Sequence, residues 1–342
     1  MPGRDQDSFF LIGYTPREAT YGAGVADGAL TVWHEVEAPT LAQYKPEEIT
    51  NQTKAKGHPY VGAGRGTLIK ERVTYPIEFD ANLELVHFLI CSMFANRATT
   101  GTTNYTHVVK YPGAGVINPW SFSFIHASDR SQTSSFFKYN GVYCSSLELT
   151  MAGRGPIKAK AELVGDGSQV AAAAITPPVI GSAVTGQLML YSQITCALGP
   201  NGNESISELL EKAVLRMSID PQERDRPGHS TKTGAVRFGK NSPVVDLKLT
   251  VEGQKGDTIW TYWNSHTKIV LDFKVTVSSP NSEFRLQGGE CRIPRDTGGD
   301  IEKFDGVVHQ LEFPVRQEWD TDDASPYVFT LKDQTAAYLA AS

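Results

Sequence analysis

Two glycine clusters, YGAGVADG at 21–28 and GAGRG at 62–66, are the first residues here whose types and spacing could do chemistry. Loops of this kind can cradle a phosphate with their backbone amides. They do so when a strand enters and a helix leaves, so that the helix N-terminus meets the anion. GAGRG runs instead into TLIKERV, which alternates like a strand, and no GK[ST] follows it. YGAGVADG is not followed by a helical pattern. Both clusters therefore read as turns. The 8 histidines are scattered, with no HExxH and no two of them three to five residues apart. His87 falls in an apolar stretch and reads as packed rather than ligating. Cys91, Cys144, Cys196 and Cys291 form no CxxC and read as reduced, buried side chains. No GxSxG elbow is present. Acids crowd the C-terminal part, but nothing places two of them across a cleft. The expectation is no catalytic residue, no cofactor, no metal ligand and no enzyme activity.

The segment DPQERDRPGHSTKTGAVRFGKNSP, residues 220–243, is charged in a different way. It joins two alternating stretches but far exceeds the two to five residues that a hairpin needs. It carries Arg224, Arg226, Lys232, Arg237 and Lys240. Such a loop is either a solvated excursion or an arm that orders by docking on an acidic neighbour. The cluster Asp320, Asp322 and Asp323 is the natural acceptor, on another copy of the chain.

The elements that must carry these residues are mostly strands. Leu147, Leu149 and Met151 share one face. After the turn Gly153-Arg154-Gly155-Pro156, Ile157, Ala159, Ala161 and Leu163 share one face, against Lys158, Lys160 and Glu162 on the other. This is a hairpin with one apolar side. Leu215, Met217 and Ile219 alternate in the same way, and Val245, Leu247, Leu249 and Val251 return beyond the long loop. The two strand pairs form a weak internal repeat. DANLELVHFLICSMFAN, 80–96, reads as a helix capped by Asp80 and apolar around most of its circumference, so it must be covered on more than one side. SISELLEK, 205–212, has capping-box spacing and reads as a second helix. DTIWTYWNSH, 257–266, reads as a third. These patterns divide the chain into an N-terminal arm with loops (1–66), a first β-rich half (67–165), a connector (166–183), a second β-rich half (184–320) and an acidic tail (321–342).

With 342 residues, 40% hydrophobic and 20% charged, the chain is long enough for a large ordered core. Its net charge of −6 argues against a nucleic-acid binder that works through a basic surface. The N-terminus lacks the pattern of a signal peptide, and no apolar run is long enough to span a membrane. The three Asn-x-Ser/Thr triplets read as chance matches.

Taken in order, REATYGAG, EEITNQTKAKG, the D-x-N-L-E-L helix start and YNGVYCSSLELTMAGRGPIKAKAELVG resemble the tail tube proteins of long-tailed, siphovirus-type bacteriophages. VLRMSIDPQERDRPG, PVVDLKLTVEG and KIVLDFKVTV continue the likeness, which covers roughly residues 15 to 315. It rests on order and alternation rather than on invariant catalytic letters. The resemblance implies a mainly β fold, an antiparallel β-sandwich or partial barrel flanked by an α-helix. It implies homo-oligomeric, hexameric rings stacked into a tube in the virion, assembled in the host cytoplasm, through which DNA passes without sequence-specific binding. A tape-measure protein and tail-tip or terminator proteins would be partners, and no membrane is involved. Glu148, Lys158, Lys160 and Glu162 would then sit on a lumen hairpin, with Glu148 and Glu162 as the acids that the two lysines need. The rival readings are a carbohydrate- or receptor-binding β-sandwich of the tail tip or decoration type, using Trp33, Trp120, Trp260, Trp263 and Trp319, and an all-β enzyme.

Overall fold

A computed structural model describes residues 8–19, 22–36, 43–50, 66–94, 97–111, 120–127, 136–165, 169–171, 187–219, 221–224, 235–238, 244–253, 258–278, 281–294 and 309–339. The first strands are β1 (Ser8–Ile12), β2 (Val32–Val36), β3 (Gln43–Thr50) and β4 (Gly66–Asp80), followed by helix α1 (Leu83–Met93). Then come β5 (Arg97–Thr100), β6 (Tyr105–Lys110), β7 (Phe122–Ala127), β8 (Phe136–Ala152), β9 (Lys158–Gly165) and β10 (Gln169–Ala171). The later part holds β11 (Ile194–Leu198), β12 (Glu204–Ser205), β13 (Leu210–Ser218), β14 (Pro221–Arg224), β15 (Ala235–Phe238) and β16 (Val244–Gly253). Helix α2 (Thr258–Ser265) precedes β17 (Ile269–Ser278), β18 (Ser282–Arg292), β19 (His309–Gln317) and β20 (Val328–Asp333).

The fold is mainly β and antiparallel, and its sheet network is not closed into a barrel. One sheet runs β3-β4-β9-β8-β13-β16-β19. A second runs β12-β11-β17-β18-β20-β6-β5. β19 pairs with β16 along most of its length and with β18 at its end, and so ties the two together. A third, β2-β1-β7-β8-β10, uses the N-terminal half of β8. β8 changes partners at a bulge, where its register against β9 shifts between Cys144 and Ser146. Buried Ser145 satisfies this irregularity by donating its hydroxyl to the Glu162 carbonyl at 3.0 Å.

The two hairpins expected from alternation lie side by side. β8 and β13 pair antiparallel over Ser146–Ala152 and Lys212–Ser218. Their apolar faces (Leu147, Leu149, Met151, Ala213, Leu215, Met217, Leu247 and Leu249) are buried. The core continues through both halves of the chain without a break.

Helix α1 is not a flank to this sheet. Every one of its residues except Glu84 is buried, and it packs against β8, β18 and β20. A side chain such as Phe88 or Leu89, removed from water in this way, contributes roughly 1.5–3 kcal/mol. The cap differs from the sequence expectation. Asn82 accepts from the Leu85 amide at 3.3 Å, while Asp80 is the last residue of β4 and faces Lys158. Residues 205–212 are not a helix. Ser207 accepts from the Cys196 amide at 2.9 Å and so holds the segment to β11, a turn follows, and β13 starts at Leu210 with a register shift before Lys212, beyond which Ala213, Leu215 and Met217 alternate into the core. α2 forms as expected, burying Ile259 and Tyr262, with the Trp260 and Trp263 rings 4.9 Å apart against the core.

The acid-rich C-terminal region contains a central strand. β20 lies between β18 and β6, and Tyr338 and Leu339 are fully buried. The N-terminal region likewise supplies core, through Phe10, Leu11 and Ile12 of β1.

Candidate functional site

Strand alternation puts the polar residues of both hairpins on one exposed face. In cross-strand register, Glu78 of β4 faces Lys160 of β9, which faces Glu148 of β8, which faces Arg216 of β13, which faces Asp246 of β16. The sign alternates at every step across five strands. Lys160 Nζ donates to Glu78 Oε1 at 2.6 Å, and Arg216 Nε donates to Glu148 Oε2 at 2.7 Å. The bond to Glu78, helped by the charges of Glu78 and Glu148, holds the Lys160 ammonium above its ordinary value. In the next row Lys158 Nζ lies 2.7 Å from Asp80 Oδ1.

Lys158 and Lys160 bond to Asp80 and Glu78 of β4, and of the two acids expected beside them Glu148 faces Lys160 in register and adds its charge. Glu148 serves Arg216, and Glu162 is exposed, opposite Pro76 and Ser146. A groove of about 430 Å³ runs along this face between Pro76, Ser146, Glu148, Lys160, Glu162 and Arg216.

The docking residues are only partly brought together. Arg224 and Arg237 lie on β14 and β15, which pair as a separate two-stranded ribbon, with Arg224 opposite Ala235 and Arg237 opposite Gln222. Arg226, Lys232 and Lys240 lie outside the described residues. Asp320, Asp322 and Asp323 share one turn but differ in role. Asp320 is buried, accepts from the Asp322 amide at 2.9 Å and packs so closely on Gly289 that a Cβ there would lie 1.6 Å from its Oδ2. Asp323 pairs with Lys110 at 3.0 Å. Asp322 is exposed.

The first glycine cluster is filled from within. Glu18 is buried, and its carboxylate accepts from the Gly22 amide at 2.9 Å, the Ser123 hydroxyl at 2.8 Å and the Gly141 amide at 2.8 Å. A side-chain carboxylate thus takes up the Gly22 amide of this cluster. GAGRG is described only at Gly66.

Sequence reasoning missed a buried polar group. Asp333 Oδ2 accepts from His87 Nδ1 at 2.5 Å and from the Tyr338 hydroxyl at 2.6 Å, and its Oδ1 accepts from the Thr335 amide at 2.7 Å. His107 Nε2 lies 3.6 Å from Oδ1 and donates to the Thr335 carbonyl at 3.0 Å. Burial alone would raise the Asp333 carboxyl. The contacts from His107, His87 and Tyr338 outweigh it and hold this carboxyl far below the usual range. Burial pushes the Tyr338 hydroxyl well up, and the Asp333 charge adds to the effect. A carboxylate–histidine pair can serve catalysis, but His87 and Asp333 are 0% and 1% exposed and lie in the core. These residues come from positions far apart, so no local spacing could have signalled them.

The remaining candidates lie apart. All four cysteines are buried and free, and burial raises their thiols, that of Cys91 to about 11. Among the described residues, no group of three or more His, Cys, Asp or Glu is arranged to hold a metal ion. The tryptophans form no common platform. Trp33 is buried, Trp120 packs under the guanidinium groups of Arg17 and Arg97, and Trp319 is exposed against Tyr111. Among the described residues, no helix is long and apolar enough to cross a membrane.

No family model matches the chain, and no curated protein matches it.

Proposed function

We propose that this chain is a structural subunit of a bacteriophage tail tube, which assembles into hexameric rings that stack as a conduit for DNA. One observation carries the reading. The hairpins β8/β9 and β13/β16 lie side by side in one antiparallel sheet, exposed and charged on one face and backed by core on the other. A wall of this kind needs a regular polar surface on the conduit side and a rigid backing. The alternation supplies the first, and the core that includes α1 supplies the second. β3 pairs only with β4 among the described residues. No other described strand pairs with its other edge, which a neighbouring copy would cover on ring closure. The β14–β15 ribbon, carrying Arg224 and Arg237, follows β13 and precedes β16 in the chain and is, in this proposal, the contact between rings. Tape-measure and terminator proteins belong to the same proposal as partners in the virion.

Negative-stain electron microscopy of the concentrated protein, with sizing chromatography alongside, tests the reading. Rings or hollow tubes of uniform width are expected. Compact monomers at every concentration, with no tubes on addition of a tail-tip initiator, would overturn it.

A further inference from the structure

We infer that the acids Glu78, Asp80 and Glu148 act as masks, which keep the cations of the polar face from gripping a polyanion. The inference rests on the reading of this face as a conduit wall. Lys158, Lys160 and Arg216 are more than half exposed, and each has a carboxylate oxygen at 2.6–2.7 Å. Pairs this exposed contribute little to folding stability, because water screens them and holding two long side chains costs entropy. The strict alternation from Glu78 to Asp246 therefore does more for what the face presents than for what holds it together.

A phosphate backbone is retained when cations on a surface replace its condensed counterions. A lysine already bridged to a carboxylate can do so only by breaking that bridge. A row whose signs alternate across neighbouring strands presents no run of positive potential for a phosphate chain to follow. The masks on Lys158 and Lys160 come from β4, so the wall depends on a strand outside the two hairpins for its neutrality. Lys212 of β13 and Lys248 of β16 lie beside Arg216 and Asp246 on the same face and give a background common to every variant below.

The test is fluorescence anisotropy of a short labelled DNA duplex against the free subunit at low ionic strength. Wild type should bind weakly or not at all. Glu78→Gln with Glu148→Gln should bind at least about tenfold more tightly, with a salt slope steeper by about two, one for each unmasked cation. A quadruple variant that adds Lys160→Gln and Arg216→Gln should return to wild-type behaviour. Unchanged binding in the double variant would overturn the inference. So would tight binding by wild type, or binding by the quadruple variant equal to that of the double. If the double variant does not fold, Asp80→Asn, which unmasks Lys158 alone, takes its place with a slope change of about one. Tube formation is scored separately by microscopy. A wild-type protein that forms no tubes counts against the conduit reading, while the anisotropy result still decides the masking.

Discussion

His87 Nδ1 lies 2.5 Å from Asp333 Oδ2, across 246 positions of sequence. Because the carboxylate can only accept, the histidine donates from Nδ1. The bond links the buried helix to β20, and Tyr338 and Thr335 bond to the same carboxylate from the segment beyond. Replacing Asp333 with Asn removes the charge and leaves His87 and Tyr338 competing for one weaker acceptor. A loss of about 3 kcal/mol or more is expected, read by urea unfolding. A change below about 1 kcal/mol would show that the group is dispensable.

Acid should weaken the fold from neutral pH downward. Burial lowers His34 to about 3 and His126 to about 4. The unfolded chain takes up the same protons near the ordinary histidine value of about 6.5. Between these limits the unfolded state holds more protons, so stability falls as pH falls, by up to about 1.4 kcal/mol per pH unit for each histidine. Asp333 acts in the same direction at lower pH. Its contribution is complete above the ordinary carboxylate value and is lost below it. His34→Gln, which keeps an acceptor for the Tyr14 hydroxyl, should flatten the acid limb of a plot of Tm against pH. Parallel curves for the two proteins would show that His34 does not drive the loss.

Ala159 sits on β9, opposite Phe79 of β4 and Leu149 of β8. A proline there removes a ladder donor from a strand paired on both sides. The cost is about 3 kcal/mol or more, and circular dichroism with thermal melting should show a poorly folded chain. Native melting would mean that β9 is not held on both edges.

Charge reversal at Arg224, Arg226 and Arg237 together should stop rings from stacking while the subunit keeps its fold. Single rings in micrographs, with an unchanged melting curve, are the expected outcome. Full-length tubes from the triple variant would remove the ribbon from the contact between rings.

What could be read in the sequence follows from how local its physical cause is. α1 was legible because its apolar residues surround the helix, which admits only a buried site. The β8/β9 hairpin was legible because alternation and a glycine turn fix it within thirty residues. The Lys160–Glu78 pair was not, because nothing near Lys160 states which strand will lie beside β9. The cap moved from Asp80 to Asn82 because β4 runs through Asp80, which pairs with Lys158 of β9. At 205–212 a local helix signal lost to pairing with β11 and β16. In the C-terminal region the charges at 320–323 stand just before VFTLKD, whose Val328, Phe329 and Leu331 are core. The residues around Asp333 are joined only by the finished fold.

The place of β20 has a consequence for how the molecule is made. Of its neighbours, β6 comes far earlier in the chain and β18 much nearer, and among the described residues each has an edge that only β20 pairs along most of its length. The second sheet therefore cannot close up until residues 328–333 have been made, and the β6–β20 contacts, of long sequence separation, form slowly. A chain cut before β20 would lack the keystone strand of this sheet and leave β6 and β18 each with an open edge.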